Sequence, residues 1–248
     1  MNVHVAPTRH GLFWLGASLA VGLIISTVLA MNTVRSVKLA NQTISVKGCA
    51  ERVIDSDEIS WSATISSQAP QMAEAYNKLK NDLSVLLDYL ETEGIPKEDV
   101  NVSSISRTVL YGRDEHGNRT DTVTGYRLSQ SVRIRSGDLD RVTRISKECT
   151  NLMAKGLGID SGSPDYFCTK IDDLKLEMLG EAARDARQRA EQLVKDSGSK
   201  VGALRSSSQG VFQITSAYST DISDYGIHDT SCWTKKIRAV VTVRYSIR

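Results

Sequence analysis

From Gly11 to Met31 the chain reads GLFWLGASLAVGLIISTVLAM, with no charge and no polar stripe. A helix of that length spans roughly 31 Å, about one bilayer core. Ten of its residues are Leu, Ile, Val or Phe. At about −0.3 to −0.6 kcal/mol each, they favour insertion by roughly 3–6 kcal/mol. Residues 11–31 are therefore predicted to be a transmembrane helix or signal anchor, after a short tail over 1–10 and before a polar linker over 32–42. Val28-Leu29-Ala30 resembles a cleavage site, so the alternative is a secretory signal whose removal frees an exported body. The apolar run exceeds the ~7–15 residues of a signal core, which favours the retained anchor.

Beyond residue 43 the period changes to two. Ile44, Val46, Gly48 and Ala50 share one side of a first strand, with Ser45, Lys47, Cys49 and Glu51 on the other. Ile59, Trp61, Ala63 and Ile65 do the same in a second strand, and Asp55 to Glu58 read as the turn between the two. Apolar spacing of three and four then predicts a helix over about 70–93, stopped by Gly94 and Pro96. Strands follow near 99–110 and 122–135, joined by the turn DEHGNR at 114–119. A helix over about 137–155, capped by Ser136, precedes a strand near 163–171. A long helix over about 172–197 carries small residues at Ala182, Ala183, Ala186 and Ala190. Residues 201–234 read as irregular, and 235–247 as the clearest strand.

The predicted fold class is α+β: an antiparallel or mixed sheet with helices packed on one face in strand-strand-helix units, preceded by one transmembrane helix. The body is a single domain over 43–248.

The net charge of +2 conceals a division. Residues 1–40 hold Arg9, Arg35 and Lys38 and no acid, so the remaining 208 residues carry 28 basic and 29 acidic groups. A near-neutral body argues against nucleic acid as partner, because phosphate binding needs clustered positive charge.

Candidate chemistry is sparse. Gly48-Cys49 is followed by another strand, not by the glycines, lysine and helix of a phosphate loop. Cys49, Cys149, Cys168 and Cys232 include no Cys-x-x-Cys pair. In an oxidising compartment they could form two disulfides in any of three pairings, or stay as thiols. A nucleophilic Cys49 would need a base such as His116 or His228. Asp221, Asp224, His228 and Asp229 lack the spacing of a calcium loop or zinc helix and read as a solvated loop. The expectation is no enzyme, with no catalytic, cofactor-binding or metal residues and no cofactor. The partners expected are the lipid bilayer through 11–31 and a second copy of the chain; no protein partner is identified.

The ordered runs ISVKGCAERVIDSDEISW, GIPKEDV, GYRLSQSVRI, EAARDARQRAEQLVKDSGSKVG and IRAVVTVRYSI resemble the SIMPL-domain family across nearly all of 43–248. The resemblance implies an α+β domain in the bacterial periplasm, or held on the inner membrane facing it. Some members of that family look like ring- or channel-shaped oligomers, and some are linked to oxidative stress. It implies no catalytic residues. The function expected is a non-catalytic binding, scaffold or envelope-stress role in a self-associating protein. The alternatives are a thiol-dependent envelope enzyme and a ring-forming pore or adaptor.

Overall fold

Residues 9–40 and 42–248 are described by a computed structural model of the chain. Helix α1 spans Arg9–Ala40, through most of the stretch expected to be a linker. Its 18-residue apolar window, Gly16–Thr33, is nowhere buried by the rest of the protein. Inside the helix the hydroxyls of Ser26 and Thr27 donate to Leu23 O, and that of Thr33 donates to Leu29 O. These polar groups are thus satisfied without water, as a hydrocarbon environment requires.

The body alternates strands and helices: β1 Thr43–Asp55, β2 Glu58–Ala69, α2 Met72–Thr92, β3 Val100–Val102, β4 Ser106–Arg113, β5 Arg119–Ser136, α3 Leu139–Glu148, β6 Ile159–Ser161, β7 Asp165–Phe167, α4 Ile171–Val194, β8 Val201–Gln209, β9 Gln213–Ser216, β10 Ile227–His228 and β11 Thr234–Ile247. They form two sheets. In the six-stranded sheet, β2 and β5 are the central pair; β3 and β4 share the outer edge of β5, and β6 and β7 share that of β2. All these pairings are antiparallel. The five-stranded sheet runs β1-β11-β9-β10, with β8 also on β11 and a parallel β9/β10 pair. The fold is therefore mixed α+β with two sheets.

Two compact units divide the chain. One contains the described residues up to Ala50 with Leu179–Gly210 and Val240–Arg248; the other contains Glu51–Met178 and Val211–Ala239. In the second unit, alternation on β2 and β5 sends Ile59, Trp61, Ala63, Ile65, Leu128, Val132 and Ile134 inward. There they meet Ala75, Leu79, Leu86 and Leu90 of α2 and Leu139, Val142 and Ile145 of α3. Side chains on the opposite face, such as Arg133 and Arg135, are exposed. In the first unit, Ala182, Ala186 and Ala190 of α4 are fully buried at four-residue spacing, whereas Ala183 points out.

Several local expectations give way. Asp55 to Glu58 do turn the chain from β1 to β2, but the two strands are not paired with each other: β1 is bonded to β11 and β2 to β5, β6 and β7. A two-residue hairpin turn needs positive φ; this segment has no glycine, and no described non-glycine residue has positive φ. The cap of α3 is Asp138, whose carboxylate accepts from Arg141 N at 3.1 Å, while Ser136 Oγ accepts from Asp138 N. Residues 201–234 contain three strands. Their polar runs carry no alternation, and β8 is held by its pairing with β11 instead. The turn at 114–119 forms as expected. Asp114 Oδ1 accepts from His116 N and Asn118 N, and Gly117 takes φ +82°.

Candidate functional site

The four cysteines are thiols. Cys149 is sealed in the core with its Sγ 3.6 Å from Ser146 O, and burial pushes its thiol pKa up. Cys49 lies on β1, where its N–H donates to Asp185 Oδ2 at 2.8 Å; Asp185 Oδ2 also accepts from Arg189 Nε at 2.7 Å. The Cys49 amide, followed by the Arg189 side chain, holds the Asp185 carboxyl below the usual range. Beside it, a Cβ on Gly48 would collide with Ala182 O and stand 2.5 Å from Ala186 N. Gly48-Cys49 is thus the place where a strand meets a helix backbone to backbone, with no phosphate cradle.

Cys168 and Cys232 are different, because the fold gathers them at one corner. The corner begins where β1 gives way to β2. Ser56 N and Oγ both donate to Trp233 O, at 3.0 and 2.9 Å, and Asp57 N donates to Phe167 O at 2.9 Å. Asp57 grips the chain beyond β7: Thr169 N donates to one carboxylate oxygen and Thr169 Oγ1 to the other, each at 2.7 Å. Burial opposes the charge on Asp57, but these bonds outweigh it and keep the carboxyl below its ordinary range. On the outer side of β7, Tyr166 N donates to Thr230 O at 2.8 Å. The Tyr166 ring stacks on Trp233 with centroids 6.2 Å apart.

Lys235 closes the corner from within. Only 1% of it is exposed, and its Nζ donates to Asp229 O and Cys232 O, each at 2.6 Å. Burial pulls its pKa down, while Asp229, Cys232, Asp165 and Cys168 pull it back up. Asp229 itself is held low by the Ser231 hydroxyl and amide. Sequence reasoning passed over Lys235, yet a signal was there: it has the parity of Ile237, Ala239 and Val241, the inward side of β11.

The remaining candidates do not converge. His116 sits in the β4–β5 turn and His228 in β10. Asp221 is engaged by Ser219 Oγ at 2.8 Å. Among the described residues, no group of three or more His, Cys, Asp or Glu side chains is placed to hold a metal.

Residues 44–245 match the family model SIMPL, described as protein of unknown function (DUF541). No curated protein matches the chain.

Proposed function

Since the chain belongs to the SIMPL family, we propose that it is an inner-membrane protein of the bacterial envelope. In this reading α1 is the anchor and the body lies in the periplasm. The body acts by binding or scaffolding in envelope or oxidative stress, as a self-associating protein, and performs no turnover.

One observation carries the reading: the uncovered apolar window Gly16–Thr33, with Leu19, Leu23, Ile24 and Leu29 each at least 60% exposed. Apolar surface on that scale needs a cover other than water, and its length fits a bilayer. The near-neutral composition beyond residue 40 favours a protein or small-molecule partner over nucleic acid. Self-association is favoured by β8, an exposed strand, and by the outward Tyr218, Ile222 and Tyr225. A thiol enzyme would need a depressed thiol pKa, whereas burial raises those of Cys149 and Cys168.

Carbonate extraction of membranes, with protease treatment of intact spheroplasts, tests the proposal. The expected result is a chain that resists extraction and loses its body to external protease. Full-length chain in the soluble fraction would overturn it. A soluble periplasmic body beginning near Met31 would replace the anchor with a cleaved signal.

A further inference from the structure

We propose that Cys168 and Cys232 are a redox pair that closes into a disulfide by exchange with a low-molecular-weight disulfide of the glutathione class. The proposal rests on the exported setting inferred above only for its place in the cell.

Three features bring the two residues together. Strand β7 pairs with β2 in the register Phe167↔Glu58, so Cys168 follows opposite Asp57. The segment before β11 reaches the same corner from the other side: Trp233 O is bonded to Ser56, and Thr234 Oγ1 donates to Asp55 Oδ1 at 2.7 Å. Between them, Tyr166 N bonds Thr230 O and Thr230 Oγ1 donates to Asp165 Oδ1, so the two segments run side by side toward the corner. Cys168 and Cys232 each stand two residues beyond that Tyr166–Thr230 contact. Ser56 and Asp57 are chain neighbours, and the residues they bond, Trp233 and Phe167, each adjoin one of the two cysteines, so both cysteines stand at this corner.

The setting also suits exchange. Both cysteines are only half-buried, so a small disulfide can reach them. The Lys235 ammonium, bonded to Cys232 O at 2.6 Å, places a cation at the same corner. Cys149, by contrast, has no exposed surface.

The chemistry balances as two exchanges. One cysteine loses its proton to solvent, and its thiolate attacks oxidised glutathione; a protein–glutathione disulfide forms and one glutathione thiolate leaves. The second cysteine loses its proton, its thiolate attacks the first Sγ, and the second glutathione leaves. Two cysteine thiols are oxidised, one glutathione disulfide is reduced to two thiols, and the protein loses two hydrogen atoms.

The test uses the full chain in detergent micelles, reduced and then equilibrated with oxidised and reduced glutathione. After acid quenching and alkylation, trypsin releases Cys168 on the peptide 156–170 and Cys232 on the peptide 206–235. The expected product is these two peptides joined, two hydrogen atoms lighter than their sum. Cys168→Ser and Cys232→Ser should each abolish it and leave glutathione on the remaining cysteine, with unchanged circular dichroism confirming the fold. Stable glutathione on both cysteines, alkylation of both, or linkage to Cys49 or Cys149 would overturn the pairing. A pair that closes in micelles but is alkylated as thiols in intact cells would confirm the chemistry and count against the exported setting.

Discussion

Gly48 meets Ala186 without room for a side chain: a Cβ on Gly48 would lie 2.5 Å from Ala186 N and 2.7 Å from Ala186 Cβ. Both obstacles are rigid, being helix backbone and a methyl carbon. Gly48→Ala is therefore expected to push α4 away from β1 and cost about 1–3 kcal/mol or more. Urea unfolding of the full chain in micelles would measure it; a midpoint within error of wild type would show that the contact yields freely.

The fold was legible where pattern and burial agree. The alternation of Ile59, Trp61, Ala63 and Ile65 and the spacing of Leu79, Leu86 and Leu90 match buried faces directly. It was illegible where pairing partners decide structure. Ser206 to Ser208 form a strand because β11 lies alongside, a long-range fact that no local window contains. The corner was half legible. Cys168 and Cys232 could be named as candidates, but their place at one corner depends on the bonds that Ser56 and Asp57 make to Trp233 and Phe167, far apart in the chain.

Asp185 ties the same two elements electrostatically. Its depressed carboxyl means that the ionised form is bound more strongly in the fold than in the unfolded chain. That contribution is complete above the ordinary value of 3.8 and disappears as pH falls through the lower folded value. Asp185→Ala should cost about 1–2 kcal/mol at neutral pH, since the carboxylate is partly solvent-screened. The difference from wild type should shrink on acidification from about pH 5 to about pH 2, read as urea midpoints across a pH series.

Asp82 has the opposite sign. It occupies the inward stripe of α2 between Leu79 and Leu86, and its Oδ2 has no hydrogen-bond partner among the described residues. Burial raises its pKa, against a weaker pull from Lys78. The folded state thus favours the protonated acid. Its contribution is complete below 3.8 and is lost as pH rises through the folded value. Asp82→Asn removes that loss and should stabilise the chain by about 1 kcal/mol at neutral pH, with the gain vanishing near pH 3. Equal midpoints at both pH values would contradict this.

Lys235 holds two backbone carbonyls that surround the cysteine corner. Lys235→Met preserves the aliphatic volume and removes the donor, leaving Asp229 O and Cys232 O short of a partner. Relief from burying a charge offsets part of that loss, so the net cost is expected to be about 1–3 kcal/mol. Hydrogen exchange should localise the effect. Amides over 227–234 should exchange faster, while the Ile59–Ile65 strand remains protected. Uniform loss of protection across the second unit would mean that Lys235 supports the whole core rather than this corner.

The anchor can be tested by charge. Ile24 and Ile25 sit within the apolar window and are 63% and 55% exposed. An arginine at the centre of a span costs about 2.5–3.5 kcal/mol on insertion, against roughly 0.5 kcal/mol gained from each isoleucine. The double substitution Ile24→Arg, Ile25→Arg therefore removes about 6–8 kcal/mol, at least as much as the roughly 3–6 kcal/mol that the whole apolar run supplies. The chain should then leave the carbonate-resistant membrane fraction, and its body should no longer be accessible outside spheroplasts. Ile24→Leu, Ile25→Leu keeps the hydrophobic contribution and should behave as wild type. If the arginine pair stays in membranes as firmly as the leucine pair, residues 16–33 are not what holds the chain there.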